Sequence, residues 1–261
     1  MNSPLRKWYW IAAAAAVVCL ASCAFAQVEV ELTGPNPYYY YYDANYKADV
    51  SVGPYVGNVG NVSGAQIVCD DYTDEVWVGE QWKANILNFS SLSTSNVGNT
   101  MWGATLDATI AGGAGAVVQL YLEAAYLTEQ LYTANAQNPG SNGAQVSALQ
   151  YALWGIFYVA SHNSAQDAAF WTNAPSGAYN IYKGLAGLNL SVSQFANLQL
   201  VTPLNGQGGA CGSGNGCAQE YFMLVPEGGS ALLYLLLAGA SCLGAIFLRR
   251  RNALAVPSDL A

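Results

Sequence analysis

The stretch QVSALQYALWGIFYVA, residues 145–160, decides how the rest of the chain must be arranged. From Leu149 onward it is apolar on every side. Leu149, Leu153 and Ile156 form one stripe and Tyr151, Trp154 and Tyr158 another, which predicts a helix buried all round rather than one lying on a surface. Gln150 is the exception. A carboxamide inside such a helix needs hydrogen-bond partners or it costs stability, and Trp154, one turn further along the same face, is placed to cover it. A helix with no solvent face requires other elements around it.

Those elements are legible on both sides. Residues 117–134, VVQLYLEAAYLTEQLYTA, repeat apolar positions at helical spacing and end in NAQNPGSNG, with shorter helical pieces near Gln166–Trp171 and Tyr179–Leu185. Upstream, β-type stretches occur at Gln27–Leu32, Gly53–Val56, Gln66–Asp70, Val76–Val78 and Trp82–Asn88, bounded by TGPNP, GNVGNVSG and SLSTSNVGNT. AQEYFMLV reads as a closing strand. The expected class is α+β, with a β-rich N-terminal part of strands or a partial barrel and a packed helical part. The run NPYYYYYDANY between the first strands is read as a flexible spacer, with stacking of its rings on sugars as the alternative; five consecutive tyrosines cannot all face one side of a strand.

Both ends carry targeting patterns. Arg6 and Lys7, an apolar run from Trp8 to Leu20, and Ala24-Phe25-Ala26 compose a signal peptide over 1–26, cleaved before Gln27. Leu20-Ala21-Ser22-Cys23 also matches a lipobox, the alternative in which Cys23 is lipidated. Near the other end, 230–248 is free of charge and proline and is about 28 Å long as a helix, enough to span a bilayer. Arg249, Arg250 and Arg251 follow at once. Positive charge stays inside, so 252–261 is expected in the cytoplasm and 27–225 outside. One exported domain of that length can hold its own core.

The sequence VPEGGS, the apolar helix and the terminal arginines together resemble a PEP-CTERM sorting signal over 226–251, with Pro226 and Glu227 at its head. That resemblance implies recognition and processing by an exosortase, contact with the membrane through the helix before processing, and a place in the cell envelope, at the outer surface or in the extracellular matrix of a Gram-negative bacterium. An ordinary C-terminal anchor is the alternative. Composition agrees with a matrix setting. Charged residues are 9% of the chain, well under the usual quarter, while it holds 18 tyrosines, 7 tryptophans and 27 glycines. Lys47, Lys83 and Lys183 are the cations between the two membrane-directed segments, against nearly all of the chain's 16 carboxylates. Nucleic acid and anionic headgroups require basic patches and are excluded as partners; surface polysaccharide or protein matrix suits the chain better.

Cysteines sort by compartment. Cys69, Cys211 and Cys217 fall in the exported part, where disulfides persist. Cys211 and Cys217 bracket a glycine-rich loop that lets them pair, leaving Cys69 over in QIVCDDYTDEV. Asp70 and Asp71 oppose its ionisation, against a redox or hydrolytic nucleophile. Zinc is disfavoured by the spacing of the other pair and by the position of the lone His162, and no cofactor or metal is expected. Asp70, Asp71, Asp74 and Glu75 lack the spacing of a calcium loop and are read as a solvated acidic turn. Two readings remain for Cys69. One is a buried free thiol packed as a small hydrophobe. The other pairs it with Gln150: condensation of the thiol with the carboxamide releases ammonia and leaves an internal thioester, which survives only where water is excluded.

IVCDDY upstream and Leu149-Gln150-Tyr151-Ala152-Leu153-Trp154 downstream resemble the thioester domains of bacterial surface adhesins, with glutamine, alanine and tryptophan in register and leucines where that motif has threonine and isoleucine. The resemblance implies a β-rich subdomain carrying Cys69, a helical one carrying Gln150, and a supporting shell of Tyr72, Tyr151 and Trp154. The sequence shows no Ser-His-Asp or metal constellation, and an enzyme with turnover is not expected. The expected function is adhesion, with Cys69 and Gln150 forming a single-use covalent link to an amine-bearing protein or to polysaccharide. The alternative is a non-covalent structural or carbohydrate-binding matrix protein.

Overall fold

The computed structural model describes residues 26–35, 39–137, 139–140, 142–214 and 216–225. The expected signal peptide with Cys23 lies outside the described residues apart from Ala26. The sorting signal with Pro226, Glu227, Arg249, Arg250 and Arg251, the helix 230–248 and the tail 252–261 also lie outside them. Among the described residues no helix is long and apolar enough to cross a membrane.

The fold is α+β, and its sheet is a closed barrel rather than a partial one. Six antiparallel strands run in the order β1 (Ala26–Pro35), β4 (Tyr55–Val59), β5 (Val62–Cys69), β8 (Tyr221–Leu224), β7 (Leu198–Pro203) and β6 (Gln81–Asn88), with β6 returning to β1. Closure removes the open edges that a partial barrel leaves. The strands alternate as a barrel requires. Val30, Leu32, Ile67, Ala84, Val201 and Met223 fill one cluster, while Val68, Leu87, Leu200 and Phe222 join a second cluster shared with the helices.

That second cluster is built around the helix expected at 145–160. It runs Gly143–Ser161 as α3 and is buried from Val146 to Phe157. Around it lie α1 (Met101–Leu106), α2 (Gly113–Gln137), α4 (Ser164–Asn173) and α5 (Ala178–Lys183). Trp102 of α1 stacks on Phe157 with ring centroids 4.9 Å apart, and Asn163 and Gln166 form a reciprocal capping box that starts α4 directly after α3.

Two expectations are corrected and one strand is added. The tyrosine run is not a spacer: β2 (Tyr39–Asp43) and β3 (Ala48–Val52) form an antiparallel hairpin against α3. Its side chains alternate, Tyr39 and Asp43 buried, Tyr40 and Tyr42 exposed. Val76–Val78 is no strand; the chain turns there, with Gly79 N–H donating to Leu32 O and Glu80 N–H to Trp77 O. β7 was not expected, and without it the barrel has no link between β6 and β8.

Candidate functional site

Cys69 is the last residue of β5, paired with Tyr221 of β8. There the chain leaves the barrel and meets α3. Gln150 Nε2 donates to Cys69 O at 2.7 Å, and Gly53 N–H donates to Gln150 Oε1 at 3.2 Å. The carboxamide thus ties the end of β5 and the β3–β4 turn to one helix, and both Cys69 and Gln150 are fully buried. Gly53 is required for this approach: its φ is +92°, and a Cβ would lie 2.6 Å from Val146 Cγ1.

The thiol itself is turned toward the barrel cluster that holds Tyr55 and Tyr221. Its Sγ donates to Asp71 O at 3.0 Å and accepts from Asp71 N–H at 3.3 Å. Burial pushes the thiol well above its ordinary pKa, Asp71 and Asp70 push the same way, and the Asp71 backbone and Trp154 indole oppose them. That indole N–H faces the sulfur but completes no hydrogen bond. Cys69 is therefore held as a neutral thiol, as its acidic neighbours suggested.

Tyr72, Tyr151 and Trp154, expected as a supporting shell, lie together. Tyr72 packs against Trp154 and Tyr151 with centroid distances of 5.4 and 6.1 Å, and Tyr151 and Trp154 lie 5.0 Å apart. The sequence reading missed what orients this shell. Tyr72 and Tyr151 hydroxyls both donate to Asp43 Oδ2, at 2.6 and 2.5 Å, while Asp43 Oδ1 accepts from Asn45 N–H at 2.6 Å. Burial, followed by the hydrogen bond to Asp43, raises both phenols. Asp43-Ala44-Asn45 carried the turn chemistry that marks such an anchor.

The acidic turn is buried, not solvated, except at Glu75: Asp70 and Asp71 are 0% exposed and Asp74 is 7%. Two carboxyl pairs explain this. Asp70 faces Glu220, and burial raises both, Asp70 well above its ordinary value, with Glu220 and then Asp71 adding to it. Glu220 accepts from Met101 N–H at 3.0 Å and from the hydroxyls of Tyr121 and Thr202. Asp71 pairs with Asp74. Burial first, then the Asp74 carboxyl, lift Asp71 to about 7. Asp71 Oδ1 accepts from Thr73 N–H and Oγ1, both at 2.8 Å, and from Ser213 Oγ at 3.2 Å; Gly214 N–H donates to Asp74 Oδ2 at 2.8 Å. Ser213 and Gly214 sit in the ring closed by the expected Cys211–Cys217 disulfide, whose Cα atoms are 6.3 Å apart. Among the described residues no group of three His, Cys, Asp or Glu is arranged to hold a metal, and His162 instead stacks on Tyr158 at 3.9 Å.

A cavity of about 330 Å³ opens over this region, with Trp154, Tyr72, Asp71 and Asp74 toward its inner side and Tyr40 and Trp77 among its exposed residues. No family model, curated protein or solved structure matches the chain. The two resemblances read from the sequence therefore rest on the residues that carry them.

Proposed function

We propose that the chain is an exported envelope or matrix protein, handed to an exosortase through its C-terminal segment, whose barrel–helix unit forms an internal thioester between Cys69 and Gln150 for single-use covalent attachment. The observation that carries this reading is the 2.7 Å hydrogen bond from Gln150 Nε2 to Cys69 O inside a fully buried site. It joins residues from opposite parts of the sequence in the dry surroundings a thioester needs. In the condensation, Cys69 Sγ bonds to Gln150 Cδ, the Cδ–Nε2 bond breaks, and the thiol proton leaves with ammonia. Gly53 N–H already donates to Gln150 Oε1 and would hold the oxygen as charge develops on it. A partner's amine or hydroxyl then attacks Cδ, the Cδ–Sγ bond breaks, and the proton given up by the partner goes to the sulfur. The disulfide agrees with an oxidising compartment.

One observation favours the second reading, a non-covalent matrix or carbohydrate-binding module. The Gln150 carboxamide is satisfied at both ends, and Cys69 Sγ bonds within its own turn rather than to the glutamine. Peptide mass mapping of the freshly purified chain decides between them. A thioester cross-links the Cys69 and Gln150 peptides with loss of about 17 Da, releases Cys69 on methylamine treatment, and is absent from Cys69→Ala. Unmodified Cys69 and Gln150 peptides would overturn the covalent reading.

A further inference from the structure

The cavity above Trp154 has a consistent chemistry. Asp49, Asp71, Asp74 and Glu75 line it, and none of its lining residues is a lysine or arginine. At its mouth the rings are left in water, Trp77 at 71% and Tyr40 at 56% exposure. Inside, Asp71 is fully buried, yet its Oδ2 accepts from no donor. Its neighbour is the Asp74 carboxyl, and a cation set between the two acids would serve this oxygen in place of a shared proton.

We propose that this cavity binds an amino sugar, a hexosamine unit whose amine is free, with the ring stacked on the aromatic mouth and the ammonium directed to the Asp71–Asp74 carboxyls. An anionic ligand is repelled by four carboxyls, and a neutral one offers them hydroxyl donors but no charge. A cation with an apolar body gains from both, since ammonium groups are attracted to carboxylates and to ring faces alike. The exposed aromatic side chains at the mouth favour a ring. A lysine side chain is a thin rod that leaves the mouth uncovered, whereas a pyranose presents a flat C–H face to an aromatic and hydroxyls to Tyr46 and Ser51. This goes beyond the attachment reading and holds whether or not Cys69 and Gln150 condense.

The test is calorimetric titration of the full chain in detergent, carrying Cys69→Ala so that no acyl transfer contributes. The ligands are a glucosamine tetramer, its fully N-acetylated counterpart, and Nα-acetyl-lysine amide. The free-amine tetramer should bind at least about tenfold more tightly than either of the others. Trp77→Ala, at an exposed position, should weaken it by a similar factor, and Asp74→Asn should abolish the preference for the free amine. Equal binding of the acetylated tetramer would overturn the role of the carboxyls. Tighter binding of the lysine amide would make the ligand a protein amine, and no binding of any of the three would end the proposal. The cross-link measurement on the unsubstituted chain is separate, so failure of the sugar assignment and failure of the covalent reading give different results.

Discussion

Acidification from pH 8 to pH 5 should stabilise the barrel–helix unit, and Asp71 is the residue through which to measure it. Its carboxyl ionises at about 7 in the fold against an ordinary 3.8, chiefly because it is buried. A carboxyl raised by folding binds its proton more tightly in the native state. Its stabilising effect is complete below the unfolded value and is lost as pH rises through the folded one. Each unit within that window is worth about 1.4 kcal/mol, so the interval from pH 8 to pH 5 gives about 2.5 kcal/mol from this group. For a domain of this size that is about 5–10 °C in Tm. Asp71→Asn keeps the Oδ1 acceptor for Thr73 and Ser213 but removes the titration. The Asp70–Glu220 pair is also raised and slopes the same way, so the informative quantity is the difference between wild type and variant, followed by thermal denaturation in steps across the interval. The Tm of wild type should climb relative to Asp71→Asn as pH falls. Parallel curves would show that Asp71 is already ionised at neutrality, and the account of its burial would be wrong.

Gln150→Leu keeps the volume of the side chain but strands Cys69 O and Gly53 N–H, each buried and bonded to the carboxamide; urea denaturation should show a loss of about 2–5 kcal/mol, clearly more than for Cys69→Ala, and the reverse order would deny Gln150 its structural role. Reduction of Cys211–Cys217 opens a small ring and should cost about 2 kcal/mol; because Ser213 and Gly214 hold the Asp71–Asp74 pair, the Asp71 contribution to the pH profile should change with it, and an unaltered profile would show that the ring does not grip the acids.

Where a single helix or strand sets its own pattern, the sequence was readable. The all-apolar stripe after Leu149 demanded burial, and a lone Gln150 within it demanded partners; the fold supplies both. What escaped were features set by partners far along the chain. Polarity made Asp70 and Asp71 look solvated, because nothing nearby announces Glu220 or the ring bearing Ser213. Tyr39–Tyr42 has no alternation of residue type, so the alternation of its burial arises only when α3 covers one face. LQLVTP, ending in proline after a string of short turns, gave little sign of the strand that completes the barrel.

The placement of β8 has a mechanical consequence. It is the last strand among the described residues, and it lies between β5 and β7 with hydrogen bonds on both sides. Tension entering the chain beyond Leu224 pulls β8 along its own axis, so its ladders are loaded in shear and their bonds share the force instead of opening one at a time. The neighbour that takes up this load is β5, with Met223 beside Ile67, Phe222 beside Val68 and Tyr221 beside Cys69. Force applied to the chain beyond Leu224 therefore arrives within one strand of the Cys69–Gln150 junction, and the strand next to that junction is braced on its other side as well.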